Sequence, residues 1–147
     1  MSNQGVVAKL RIFTEEFPKG VQKEQVKCVK NVGIEGDKYA KGGERQVTLQ
    51  DQAVREWMNQ QSGKGLCVAR FKENITVSGM DFSLLSDGAE VQVGEVKLKI
   101  SEWQKKCYGK ECEVYSTERE CPALQGCCFA KVIESGEIAV GMDIVLL

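Results

Sequence analysis

Residues 91–100 read VQVGEVKLKI: Val91, Gln92, Val93, then Gly94-Glu95, then Val96, Lys97, Leu98, Lys99 and Ile100. Val96, Leu98 and Ile100 fall on one side of an extended chain, and Lys97 and Lys99 on the other. This is the period of a half-buried strand. Gly94-Glu95 between two such runs suits a two-residue type II′ turn, which needs a glycine at its first central position. The segment therefore predicts a β-hairpin and sets the reading of its surroundings. Val6 to Ile12 alternates loosely, Gln25 to Val32 alternates polar with apolar, and Gln46 to Leu49 makes a short strand. Phe129 to Ile133 and Ile138 to Leu147 read as two closing strands around Ser135-Gly136. One helix is predicted over Asp51 to Gln60, with Ala53, Val54, Trp57 and Met58 on one face and Thr48 or Asp51 as N-cap. Many short strands and one helix predict a mainly β protein, a closed or nearly closed β-barrel, because closure removes exposed sheet edges.

The chain has 147 residues, which suits a single domain over 1–147 with one core. Its net charge of −1 offers no basic field for a polyanion, so nucleic acid is not an expected partner. No apolar run approaches the roughly 20 residues of a membrane-spanning helix, so no membrane partner is expected. The opening MSNQGVVAKLRIF lacks the layout of a signal peptide, and the cytoplasm is the expected compartment. The chain has no His and seven Cys. Lack of His excludes Ser-His-Asp and Cys-His catalysis within the chain. An odd cysteine count leaves one thiol over in any fully paired framework. Chemistry here is expected to run on sulfur.

Five cysteines, Cys107, Cys112, Cys121, Cys127 and Cys128, lie within 22 residues, in KKCYGKECEVYSTERECPALQGCC. Cys28 and Cys67 sit apart, in contexts that suit small buried hydrophobes. Three readings of the cluster stand open. A structural zinc site wants closely spaced cysteine pairs; Cys107 and Cys112 have four residues between them, but Cys121 and Cys127 have five, and adjacent Cys127-Cys128 poorly suit one ion. Disulfide stapling suits an oxidising compartment. The third reading is one activated thiolate: Cys107 follows Lys105 and Lys106, whose ammonium groups favour the deprotonated sulfur. In that reading Cys112 is the candidate resolving thiol.

The loop GIEGDKYAKGGER, Gly33 to Arg45, holds four glycines. With RQVTLQDQAV after it, it resembles the Gly-x-x-Gly-Asp loop, Arg-Gln-Val-Ser/Thr-Leu segment and helix of the MOSC family, domains similar to the C-terminal part of molybdenum-cofactor sulfurases. ARFKENITVSGMDFSLLSDGAEVQVGEVKLKIS resembles that family's Arg-Phe-x-Glu-Asn-Ile block and the meander after it. KKCYGKECEVY is similar to small stand-alone members in which a Cys follows the last meander strand, and FAKVIESGEIAVGMDIVLL resembles the terminal strands. The resemblance implies a barrel like the small pyruvate-kinase barrel domain and a link to the molybdenum cofactor (molybdopterin). It maps the family's Cys, as persulfide carrier or molybdenum ligand, to Cys107. It maps the glycine loop and its basic residue to Gly36, Asp37 and Arg45, and the Glu-Asn-Ile block to Glu73 and Asn74, just after Arg70.

Arg45 with Gly42-Gly43 offers the fork and backbone N–H groups that a pterin phosphate wants. The plainer readings are a surface salt bridge for Arg45, side-chain to backbone hydrogen bonds for Asp37 and Asn74, and pairing with Arg70 or Lys72 for Glu73. Where many members carry His, this chain has Tyr39 and Tyr108, and the late Gly-Asp is interrupted as Gly141-Met142-Asp143. Binding or sulfur carriage, with a sulfur donor or molybdoenzyme as partner, is thus expected ahead of catalysis. A molybdenum oxidoreductase like the amidoxime-reducing relatives, which carry an added N-terminal region, suits this short chain less. The alternative is a non-enzymatic module, zinc-stabilised or thiol-based, built on the Cys107–Cys128 cluster.

Overall fold

A computed structural model of the chain describes residues 3–43, 45–60, 73–102 and 127–147, with the backbone alone at 57–60 and 102. The strands are β1 (Gln4–Ile12), β2 (Val21–Lys23), β3 (Gln25–Val29), β4 (Gly33–Ile34), β5 (Val47–Asp51), β6 (Ile75–Ser78), β7 (Glu90–Val93), β8 (Val96–Glu102), β9 (Cys127–Glu134), β10 (Gly136–Ala139) and β11 (Asp143–Leu146). The helix α1 spans Gln52–Gln60, and a 3-10 turn covers Phe82–Leu84. Strands pair in the order β11-β7-β8-β9-β5-β6-β1, and β11 pairs back onto β1, so seven strands close a barrel. The fold class is as expected.

Pairing is antiparallel except between β5 and β6, where Leu49 stands opposite Ile75 in parallel. Parallel neighbours need a crossover, and α1, which packs on both strands, lies in that connection. One edge of β1 takes β6; the other is shared by β11 at Gln4–Val6 and β2 at Leu10–Ile12. The hairpin of β7 and β8 pairs Val93 with Val96, and Gly94 turns at φ +59°. Val96, Leu98 and Ile100 point into the barrel with Val47, Leu49, Ile75, Val77, Val91, Ala130 and Val132. A register shift between Val7 and Lys9 lets both Val7 and Leu10 face inward.

Three local readings change. Ile138 to Leu147 is not one strand: the chain turns at Gly141, where φ is +95°, and divides it into β10 and β11. Only β11 joins the barrel; β10 pairs with β3 in a separate sheet ordered β10-β3-β4. The strand predicted from Gln25 to Val32 stops at Val29, and Asn31 then takes φ +65°. In α1, Val54 is buried, but Ala53 is exposed. Asp51 caps the helix, its Oδ1 accepting from the Ala53 N–H at 3.1 Å.

Candidate functional site

The glycine loop is fastened to the end of β1. Asp37 is buried, and its Oδ1 accepts the Phe13 N–H at 2.7 Å while Oδ2 accepts from Tyr39 N–H at 3.3 Å. Lys38 N–H donates to the Phe13 carbonyl at 2.7 Å, so loop and strand exchange two bonds. Burial pushes the Asp37 carboxyl up; those two N–H groups, the Asn74 side chain and Lys38 oppose it. Gly33 lets the loop lie close to the barrel, since a Cβ there would sit 2.9 Å from the Gln46 carbonyl. Gly36, Gly42 and Gly43 take φ of +90°, +75° and +79°, conformations that suit glycine. The Gln46 amide ties the far end, donating to the Gly43 carbonyl at 3.0 Å and accepting from Val132 N–H at 3.0 Å.

The Glu-Asn-Ile block lies next to this loop. Asn74 accepts from Thr48 N–H at 3.0 Å, donates to the Arg11 carbonyl at 3.2 Å, and hydrogen-bonds the Asp37 carboxylate. One amide thus joins β1, β5, the loop and the start of β6. Glu73, also buried, accepts from Arg11 Nη2 at 2.5 Å through Oε1 and from Arg55 Nη2 through Oε2. Its partners are therefore Arg11 and Arg55; Arg70 and Lys72, the partners expected from sequence, lie outside the described residues. Arg55 Nε also donates to Gln50 Oε1 at 3.1 Å, and Gln50 Nε2 approaches Cys127 Sγ at 3.5 Å. The result is a continuous polar chain on the outer face of β1, β6, β5 and β9, running from Asp37 through Asn74, Arg11, Glu73, Arg55 and Gln50 to Cys127. Buried carboxylates are stable only when so paired. Arg11 Nε is buried without a hydrogen-bond partner among the described residues, and its guanidinium lies 5.2 Å from the Phe13 ring centroid, so the ring face covers it.

Sequence reasoning missed Arg11, Arg55, Gln50 and Cys127 as members of this chain. The available signal was slight: Gln50 occupies an outward position on a strand whose inward residues are apolar, and Arg55 follows the buried Val54.

Arg45 is exposed and stacks over the Phe129 ring at 4.5 Å, beside Thr48, which faces Phe129 across the β5–β9 ladder. The space where a Gly43 Cβ would stand is open to 4 Å. An exposed arginine in the same loop as Gly43 is a residue combination that suits an anionic phosphate. The polar atoms of Asp37, Glu73 and Asn74 are already committed to protein partners. Arg70, Lys105, Lys106, Cys107 and Cys112 lie outside the described residues, as do Cys67 and Cys121. The chain passes out of them after Glu102, paired with Phe129, and returns at Cys127, paired with Gln50.

Cys127 and Cys128 point to opposite faces of β9, as the strand period requires. Cys128 is in the core, where burial pushes its thiol up to about 12, and Cys28 is raised equally by the same cause. Cys128 thus faces the core, on the side of β9 opposite Cys127. Among the described residues no group of three or more His, Cys, Asp or Glu is placed to hold a metal ion, and no helix is long and apolar enough to cross a membrane.

The fold has close counterparts among solved structures. YuaD from Bacillus subtilis superposes with a TM-score of 0.71 at 17% identity, covering 96% of this chain and 94% of that one. YiiM from Escherichia coli gives 0.65 at 16% identity over 98% of this chain and 69% of its own. YiiM from Geobacillus stearothermophilus gives 0.62 at 14% identity, over 97% and 75%. At such identities the likeness shows the fold. No functionally curated protein is similar in sequence. A sequence profile of the MOSC domain matches residues 36–145, from the glycine loop through the Glu-Asn-Ile block and the meander to β11. The chain belongs to the MOSC domain family, which is associated with the molybdenum cofactor.

Proposed function

We propose that this domain carries sulfur or binds the molybdenum cofactor through a thiolate or persulfide on Cys107. The observation that carries the reading is where the Cys107 segment is inserted. It joins the end of β8, where Glu102 stands opposite Phe129 beneath Arg45, to the start of β9, where Cys127 ends the polar chain beside Gln50. Arg45 with the backbone at Gly43 would hold the cofactor's phosphate by charge and N–H donation, while the Gly42 N–H, which donates to the Val32 carbonyl at 3.1 Å, fixes the loop beside it. The bound cofactor would supply a redox-active molybdenum centre, to which a Cys107 thiolate is a suitable soft ligand. Asp37, Asn74 and Glu73 act indirectly, holding the loop, β1 and α1 in register so that Arg45 is presented at a fixed place.

In the carrier role the Cys107 thiolate attacks the outer sulfur of a donor persulfide. The donor's S–S bond breaks, the new S–S bond forms on Cys107, and the donor leaves as a thiolate with no net oxidation. Lys105 and Lys106 favour the charged sulfur before and after transfer. Cys112 is the neighbouring thiol able to resolve a mixed disulfide.

The test is to load the purified chain with inorganic polysulfide, remove the excess, and measure cyanide-releasable sulfur beside molybdenum, zinc and pterin content. Sulfur lost in Cys107→Ala, or copurifying molybdenum with pterin fluorescence, supports the proposal. Stoichiometric zinc held by Cys107, or releasable sulfur unchanged in Cys107→Ala with no molybdenum, overturns it.

A further inference from the structure

Met142 interrupts a Gly-Asp pair between β10 and β11, and the structure gives its side chain an unusual task. Its thioether Sδ accepts the Ala139 N–H at 3.1 Å, while its own N–H donates to the Ala139 carbonyl at 3.2 Å. The backbone is stitched to β1 on both sides: Val7 N–H donates to the Met142 carbonyl at 2.9 Å, and Gly141 N–H donates to the Val7 carbonyl at 2.8 Å. This turn leads directly into the β1–β11 seam that closes the barrel, where Val6 stands opposite Asp143. The methyl group lies against the β7–β8 turn, for a Cβ on Gly94 would come within 2.4 Å of it. One thioether therefore touches the parts of the fold that meet at the closure.

Thioether sulfur is a weak acceptor but an oxidisable one. Met142 is half-buried between exposed Gly141 and Asp143, whereas Met80 is 4% exposed and sits in the core. We propose that Met142 is a modification site: oxidation to the sulfoxide by hydroperoxides loosens the barrel seam, and methionine sulfoxide reductases restore it. In the step, a sulfur lone pair attacks one peroxide oxygen. An S–O bond forms and the O–O bond breaks, the transferred oxygen's proton passes to the departing oxygen, and water leaves from hydrogen peroxide or an alcohol from an organic hydroperoxide. The sulfur is oxidised by two electrons and the peroxide reduced by two. The new S–O dipole requires water. The Sδ side is taken by the Ala139 N–H and the methyl side by Gly94, so solvating the dipole draws the side chain outward. Ala139 then loses its acceptor and the contact with Gly94 is lost.

The experiment treats the full chain and Met142→Leu with hydrogen peroxide, reverses cysteine oxidation with dithiothreitol, and reads site occupancy by peptide mass spectrometry and Tm by thermal unfolding. The expected result is oxidation of Met142 ahead of Met80 and a Tm lowered by about 3–6 °C. Combined A- and B-type sulfoxide reductases, with dithiothreitol supplying the two electrons and leaving as its disulfide with water, recover the Tm, and Met142→Leu keeps its Tm under the same treatment. Equal oxidation rates at Met142 and Met80, or an equal loss in Met142→Leu, overturns the proposal. Should the leucine variant fold poorly, the reductase arm decides alone: a Tm that the reductases leave lowered is the overturning result.

Discussion

Glu73→Gln removes one charge from the polar chain while keeping the side chain's shape. The native carboxylate, 4% exposed, takes one guanidinium on each oxygen. A glutamine amide accepts from one of them and turns an NH₂ toward the other, so one charge-assisted bond is weakened and the other becomes a clash of donors. Charge-assisted hydrogen bonds contribute about 1.5–3 kcal/mol each, and breaking a buried pair costs about 3–5 kcal/mol. The arginine side chains are not fully enclosed, at 30% exposed for Arg11 and 15% for Arg55, so water recovers part of the loss. The expected destabilisation is about 3 kcal/mol, or a Tm lowered by about 6–12 °C in a chain of this size. Urea unfolding followed by Trp fluorescence measures it, with an unchanged m-value showing that the denatured state is the same. Arg55→Met completes a double-mutant cycle in which a coupling of about 1–2 kcal/mol is expected. A loss below about 1 kcal/mol, or no coupling, would show that Glu73 does not hold α1 to β1 and would remove the frame assigned to Arg45.

Gly94→Ala places a Cβ 2.4 Å from the Met142 methyl and forces φ +59° on a residue with a side chain, for a combined loss of about 2–3 kcal/mol. Adding Met142→Ala relieves the contact but not the backbone, so denaturation of the pair should show only partial relief; full relief or none contradicts the geometry. Cys28 and Cys128 have folded-state thiols raised from 9.0 to about 12, so the unfolded chain releases their protons first as pH rises. Stability from these groups is complete below pH 9 and falls from there to about 12, where the folded thiols also ionise. Iodoacetamide at pH 8 should leave both unmodified in the native chain, and their rapid labelling would contradict the burial.

The barrel was legible because its strands carry their own instructions. Val96, Leu98 and Ile100 alternate with lysines, and Gly94 supplies the one backbone conformation the hairpin needs. Alternation says which side of a strand is buried, but not which strand lies beside it. That is why Ile138 to Leu147 reads as one closing strand although Gly141 turns the chain there and β10 pairs with β3. The site was legible to the extent that it is local. The loop's glycines and the side-chain to backbone roles of Asp37 and Asn74 follow from turn chemistry within reach of the sequence. Glu73's partners do not: Arg11 is 62 residues away and Arg55 is 18. The cations closest to Glu73 in sequence, Arg70 and Lys72, suggest a local pairing, and nothing in the local pattern points to the two distant arginines.

The chemistry of the polar chain follows from what its members are able to exchange. Arg11 and Arg55 are both held on the Glu73 carboxylate. Gln50 and Asn74 do not titrate, and the chain has no histidine to work near neutrality. Asp37, although raised by burial, has both oxygens engaged by N–H donors, so a proton arriving there would displace structure before it served a reaction. A network of this kind fixes charge and position; it does not shuttle protons. In the proposed function the reactive group works by nucleophilicity or ligation, not by acid–base exchange. Among this chain's residue types that leaves the thiolate, whose activation needs nearby positive charge and no imidazole. In that proposal Lys105 and Lys106, which precede Cys107 in the sequence, supply the charge. On the proposed reading, neither carrying sulfur nor holding a cofactor asks this framework for an imidazole.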